Sequence, residues 1–252
     1  MKQKQINFQR EKTNIRCKLY MQDNGDINSI VIYGHGFAGH KDNKSAERLA
    51  EKIISKNKGF ALLAFDLPCH GEDVKKKLYL DDCIYYLDVV INDCKEVLGA
   101  SKLYANAISF GCFLILKYIS EKGNPFEKIV LRSPAINMFK VVDSSMITEE
   151  MRDKLSKGKE VQIGFDRKIS ISQQFLDDLR AADLASRDYI DFADSILLIH
   201  GTKDEVTPFE DTKEFSENNV IDFIPVENAD HRYTDLKKTE FVNAKAVEFY
   251  GL

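Results

Sequence analysis

The stretch Leu103-Tyr104-Ala105-Asn106-Ala107-Ile108-Ser109-Phe110-Gly111-Cys112-Phe113-Leu114-Ile115-Leu116-Lys117-Tyr118-Ile119-Ser120 decides the fold. Leu103 to Ala107 reads as a short buried strand. Phe110 to Ser120 reads as an apolar helix, closed by Gly123-Asn124-Pro125. Only Ile108 and Ser109 lie between them, so the chain must reverse sharply at the serine. Small residues two positions to either side, Ala107 and Gly111, are what such a tight turn demands. The usual pattern is G-x-S-x-G, and alanine for the first glycine is a small-for-small change. Motifs this short also arise by chance. The strand–turn–helix setting makes this one informative.

Outward from this point, strands and helices alternate. Ile15, Cys17, Leu19 and Met21 share one face of a half-buried strand, and Asn24-Gly25 supplies turn chemistry after it. Ile30 to Tyr33 is a continuous apolar run ending in Gly34-His35-Gly36-Phe37-Ala38-Gly39, as a strand covered on both faces requires. Ala46 to Lys56 predicts a helix. Phe60 to Phe65 predicts a second buried strand, and Leu80 to Leu98 an amphipathic helix with apolar residues three or four apart. Ile129 to Leu131, Ile196 to Ile199 and Val220 to Pro225 are further strands, the last before a C-terminal helix. This order predicts an α/β fold: a mostly parallel central sheet with helices on both faces.

One segment breaks the rhythm. Between Pro134 and Ile196 the pattern gives only a small hairpin, with Val161, Ile163 and Phe165 facing Ile169 and Ile171, and then a helix from Gln173 to Ala185. An insertion of this size predicts a functional cap over residues 136–194, on a core of residues 1–135 and 195–252.

A serine hydroxyl is a poor nucleophile at neutral pH; it needs a base, and the base needs an orienting carboxylate. Two strand ends downstream of Ser109 supply candidates. Ile196 to Ile199 leads into His200-Gly201-Thr202-Lys203-Asp204, and the last strand leads into Asn228-Ala229-Asp230-His231. Ser109, Asp204 and His231 thus all follow the carboxyl ends of strands, the edge where open α/β sheets bind ligands. Asp143 is the weaker alternative acid, and Asp230 points elsewhere. Of the other histidines, His35 and His200 read as buried structural groups, His70 as a brace for its turn, and His40 as a mouth or surface residue. No histidine spacing supports a zinc site, and no cofactor is implied.

With these pieces in place, the chain resembles the α/β-hydrolase superfamily over nearly its whole length. The resemblance rests on H-G-F-A-G at 35–39, D-L-P-C-H-G at 66–71, A-I-S-F-G at 107–111, H-G-T-K-D-E-V-T-P at 200–208 and A-D-H at 229–231, in that order. It is similar in length and motifs to small bacterial cinnamoyl/feruloyl esterases and monoacylglycerol-lipase-like hydrolases. The resemblance implies a catalytic triad of Ser109, Asp204 and His231, and an oxyanion hole from the backbone N–H groups of Phe37 and Phe110. It implies ester hydrolysis through an acyl-enzyme. Thioesterase, amidase, peptidase and monoacylglycerol lipase activities would use the same triad, and a catalytically silent ligand-binding member remains the alternative of another class. Ala107, and Cys112 where a second glycine is common, are departures that bear on rate and substrate.

Composition narrows the partners. The net charge of −4, from 36 basic and 40 acidic residues, argues against nucleic acid or an anionic membrane as the main partner. The odd count of five cysteines, none at C-x-x-C spacing, argues against a disulfide framework. No apolar leader or bilayer-length run is present, so a cytoplasmic protein without stable membrane association is the expectation. Phe37, Phe110, Phe139 and Phe165 are the candidate substrate-binding rings. Of the cap residues Met138, Phe139, Met146, Val161, Ile163, Phe165, Ile169, Ile171 and Phe175, some must pack within the cap, and the remainder predict an apolar roof over Ser109, with the Phe37 and Phe110 rings beside the oxyanion hole, suited to small esters with short or aromatic acyl groups.

Overall fold

Six parallel strands in the middle and at one end of a single sheet set the edge on which the site is built. The computed structural model describes residues 1–10, 13–23, 26–164 and 167–252. The Asn24-Gly25 turn and Phe165 lie outside the described residues. The sheet contains β1 (Lys2–Arg10), β2 (Thr13–Met21), β3 (Ser29–Gly34), β4 (Phe60–Phe65), β5 (Lys102–Ile108) and β6 (Lys128–Arg132). A small hairpin of β7 (Val161–Ile163) and β8 (Ile169–Ile171) intervenes before the last two sheet strands, β9 (Ile196–Gly201) and β10 (Asp222–Val226). The order across the sheet is β1-β2-β4-β3-β5-β6-β9-β10. β2 pairs antiparallel with both β1 and β4, and every other pairing is parallel. The fold is therefore the α/β arrangement that the alternation predicts.

Two apolar layers sandwich the sheet. On one face, α1 (Lys44–Ile54) and α8 (Leu236–Phe249) bury Leu49, Ala50, Ile53, Val242 and Ala246 against Val31, Leu62 and Val130. On the other, α2 (Leu80–Glu96) and α3 (Phe110–Lys122) join the larger cluster. Helix α3 is apolar all round because it is covered all round, a helix with no solvent stripe. Among the described residues no helix is long and apolar enough to cross a membrane.

Several elements depart from the sequence reading. Lys2–Arg10 is a nine-residue edge strand, although its Lys/Gln-rich sequence gives little apolar signal. It buries only Phe8 fully, and charged side chains on an edge discourage pairing with other chains. Helix α7 (Phe209–Asn219) is also faint in sequence, because its buried positions include Thr212, Ser216 and Asn219. Val220 does not begin the last strand. It takes a left-handed conformation (φ 57°) that closes α7, and β10 starts at Asp222.

Between β6 and β9 the chain adds α4 (Met138–Ser145) and α5 (Glu149–Ser156) ahead of the expected hairpin, with α6 (Gln173–Ala182) after it. The hairpin register is as its alternation requires, Val161 opposite Ile171 and Ile163 opposite Ile169. Its apolar residues do not form a roof. Val161, Ile163, Ile169, Ile171 and Phe175 are all buried in the larger core cluster. A two-stranded ribbon cannot shield both its faces. This one lies against the body of the protein, tied by the Leu78 N–H to the Ser170 carbonyl at 2.9 Å.

Candidate active site

Strand β5 runs directly into Ser109, and α3 starts at the next residue. Ser109 has φ 54° and ψ −116°, a conformation that L-residues avoid. Such strain costs about 1–3 kcal/mol and persists only where the surroundings enforce it. Here they do. The Ser109 N–H donates to the Arg132 carbonyl at 3.1 Å, and the Ser109 carbonyl accepts from Cys112 N–H at 3.0 Å and Phe113 N–H at 3.2 Å. Gly111 is obligatory, since a Cβ there would lie 2.5 Å from the Gly34 carbonyl oxygen. Ala107 is tolerated because its register partner is Gly34, whose missing side chain leaves the space.

Ser109 and His231 line one cavity of about 1520 Å³ along the carboxyl edge of the sheet. Asp204 lies behind His231, its side chain fully buried. Its Oδ2 meets His231 Nδ1 at 2.8 Å, His200 Nε2 at 2.9 Å and the Thr207 hydroxyl at 2.9 Å. Its Oδ1 accepts the Val206 and Thr207 N–H groups at 2.8 and 2.9 Å. Burial opposes a charge on Asp204, but the hydrogen bonds from His200 and His231, the His231 charge and the Thr207 N–H outweigh it. Its carboxyl is held far below the usual carboxylate range. A carboxylate fixed in this way orients the His231 ring and leaves Nε2 as the nitrogen available to a proton donor. The Ser109 hydroxyl forms no hydrogen bond with the described residues. Such contacts commonly tighten only once substrate is bound.

Phe110 is the first residue of α3, so its N–H has no partner within the helix and carries the positive end of the helix dipole. The Phe37 residue lies in the loop after β3, on the wall of the Ser109 cavity. Gly36 brings that loop close, with room for a Cβ only 3.3 Å from Ser109 Cβ. Neither Phe37 N–H nor Phe110 N–H donates to a carbonyl among the described residues.

The rings are placed differently from expectation. Of the predicted substrate-binding side chains, Phe37 lines the cavity. Phe110 does not: its ring is fully buried between Phe37, Phe113 and Phe175, because the first turn of α3 points it into the core. Phe139 lies under the Arg180 guanidinium (4.3 Å) and borders a separate small hollow. Met138 and Met146, both among the expected cap residues, form the apolar wall together with Val141, and Lys168, Glu205 and Arg232 add charged groups to the lining. Asp143 pairs with Arg152, away from the cavity lining.

The structural histidines act beneath the Phe37 loop. His35 Nδ1 bonds to the Gly36 carbonyl at 2.8 Å, and its Nε2 accepts the Leu67 N–H at 3.2 Å. His70 Nδ1 donates to the Pro68 carbonyl at 2.8 Å, and the Phe37 ring meets the His70 ring edge-on. Burial pushes both imidazoles well below the usual histidine range, and for His70 the nearby His35 adds to it. Unfolded histidines protonate near pH ~6.5. Since the folded pKa values are depressed, this stability is fully present above that pH and is lost as pH falls towards the folded values. The denaturation midpoint in guanidinium chloride is expected to fall as pH drops from about 7 to about 5, and His70→Gln to flatten that slope. An unchanged slope would show that these two rings do not govern acid sensitivity. His200 was legible as a buried histidine but not as the second donor to Asp204; its position four residues before the acid is the signal that pointed to it.

The family model described as the alpha/beta hydrolase fold matches residues 29–164, more than half of the chain. The chain belongs to the α/β-hydrolase family. Among solved structures it is similar to Est1E from Butyrivibrio proteoclasticus with ferulic acid bound, at 20% identity, covering 98% of this chain and all of that one, with a TM-score of 0.76. It is similar to a monoacylglycerol lipase from Paleococcus ferrophilus at 18% identity, covering 94% and 98% of the two chains, with a TM-score of 0.65. An esterase from Pyrococcus furiosus matches at 20% identity, covering 99% and 92%, with a TM-score of 0.68. At these identities the likeness is one of fold. No curated protein matches this α/β hydrolase in sequence.

Proposed function

We propose that the protein is a serine carboxylesterase that works through an acyl-enzyme on Ser109. The observation that carries this reading is the strained Ser109 turn opening on the same cavity as a His231 ring held by Asp204. A strained serine is maintained only at a cost, and the cost is explained if its hydroxyl must project from the turn. In the first step His231 takes the Ser109 proton as Oγ bonds to the ester carbonyl carbon. The oxyanion is met by the Phe37 and Phe110 N–H groups, and the carbon–oxygen bond to the alcohol breaks as His231 returns the proton to it. Water activated by His231 then cleaves the Ser109 ester and releases the acid.

The reading for substrate is a small soluble ester with a short or aromatic acyl group. Phe37 on the cavity wall supports an aromatic group, and Est1E binds ferulic acid in a structure of the same fold. The charged groups in the lining favour soluble molecules over a lipid surface, so the monoacylglycerol lipase reading ranks second. In the same reading, residues 136–194 serve as the cap, since Met138, Val141 and Met146 wall the cavity. A fluorophosphonate probe is expected to label the protein at Ser109. Across methyl ferulate, p-nitrophenyl butyrate and p-nitrophenyl palmitate, kcat/KM is expected to be lowest for the palmitate. Preference for palmitate would replace this reading with the lipase, and absence of labelling would remove the esterase.

A further inference from the structure

Arg132 closes β6 and is the register partner of Ile108, the residue before Ser109. Its side chain reaches to the face covered by α1 and α8 and is only 2% exposed. Nη2 donates to the Tyr33 phenol oxygen at 2.8 Å and to the Ser45 hydroxyl oxygen at 3.0 Å, and Nη1 reaches Asn243 Oδ1 at 3.5 Å. Nε is buried with no hydrogen-bond partner among the described residues. All three partners are neutral, and no carboxylate among the described residues forms an ion pair with this arginine. A guanidinium does not shed its proton in a protein, so burial leaves a full positive charge without a counter-charge.

The recess around that charge is part of the Ser109 cavity. Tyr33, Asn43, Ser45, Arg132 and Thr239 share its wall with Ser109 and His231. The Tyr33 and Ser45 hydroxyls accept from the guanidinium, so each keeps its own proton to donate, and neither finds an acceptor among the described residues. Thr239 already donates to the Tyr233 carbonyl at 2.6 Å. Two free hydroxyl protons beside a buried positive charge are the complement of an oxyanion. Water would satisfy the donors but not the charge.

The geometry points to an oxyanion subsite of the cleft, in which Arg132, Tyr33 and Ser45 bind a carboxylate or phosphate group carried by the ester substrate. This rests on the reading of Ser109 as the nucleophile. The substrate class is then an anionic ester, such as a half-ester of a dicarboxylic acid or an ester bearing a phosphate.

Calorimetric titration of the Ser109→Ala protein with succinate and with inorganic phosphate tests the subsite without turnover. Saturable binding of at least one is expected, and the tighter of the two identifies the group. Tyr33→Phe and Ser45→Ala each delete one donor without adding a buried charge, and each is expected to weaken binding about tenfold. With Ser109 restored, kcat/KM for mono-p-nitrophenyl succinate is expected to exceed that for p-nitrophenyl butyrate by about tenfold or more, the ratio falling in both variants. No saturable binding, or binding that neither variant weakens, overturns the subsite. Binding as expected with the neutral ester preferred overturns the substrate class. Binding as expected with no ester turned over leaves the subsite standing and overturns the nucleophile instead.

Discussion

Replacing Ser109 with alanine is expected to reduce ester hydrolysis by about 10⁴-fold or more while the protein stays folded. The expectation follows from what the hydroxyl does and what it does not do. It makes no hydrogen bond with the described residues, and the bonds that hold the turn come from its backbone N–H and carbonyl. Removing Oγ therefore leaves the β5–α3 junction intact. The remaining activity would come from the oxyanion N–H groups and from binding, the part of catalysis that survives loss of a nucleophile. Ser109→Gly provides a second readout. Glycine adopts φ 54° freely, whereas alanine inherits the strain, so the glycine variant is expected to be as inactive and to unfold at a higher temperature than the alanine one. Far-UV circular dichroism and thermal melts of both variants, beside p-nitrophenyl butyrate kinetics, make the measurement. Turnover near that of the wild type in a pure Ser109→Ala sample would end the assignment of Ser109.

The parts legible in the sequence were those that announce themselves locally. The buried strands β3 and β9 are uninterrupted apolar runs, and the turn at Ser109 needs small neighbours that a reader can see. Asp204 and His231 were found because each follows a strand end, and the structure brings them to 2.8 Å. What the sequence concealed depends on which neighbour a side chain meets. Phe110 and Phe37 look equivalent as aromatic residues close to Ser109, yet one rotates into the core with the first turn of α3 and the other stays on the cavity wall. The apolar hairpin residues could have faced the cleft or the body of the protein, and periodicity gives the face without naming what it meets. Arg132, in Leu131-Arg132-Ser133, reads as an ordinary strand-end cation; only the packing of α1 and α8 shows that it is enclosed.

The Asp204→Asn variant is expected to lose about 10³–10⁴-fold in kcat, and His200→Gln far less, about tenfold. Asp204 Oδ2 takes three donors, from His231 Nδ1, His200 Nε2 and the Thr207 hydroxyl, while Oδ1 takes two backbone N–H groups. An asparagine can place its single oxygen on one side only. If the oxygen serves the two N–H groups, its NH2 faces His231, and the ring must present a bare Nδ1 and carry its proton on Nε2. The nitrogen needed as base is then blocked. If the oxygen faces His231, the NH2 is forced against the Val206 and Thr207 N–H groups, and the loop that carries the acid must shift. His200 is different in kind: it touches the carboxylate, not the reacting atoms, so it is a positioning residue. Its Nδ1 is held by Thr212 Oγ1 at 2.8 Å, which leaves Nε2 to donate to Asp204. Glutamine keeps a donor but loses the rigid ring, so the His200→Gln effect should appear in kcat with KM little changed. The melting temperature is expected to change little, because His200 acts on the orientation of the His231 ring through Asp204. A merely structural histidine would lower the melting temperature and leave kcat of the folded protein where it was. Full activity in Asp204→Asn alongside inactive Asp143→Asn would transfer the acid's role to the segment between β6 and β9.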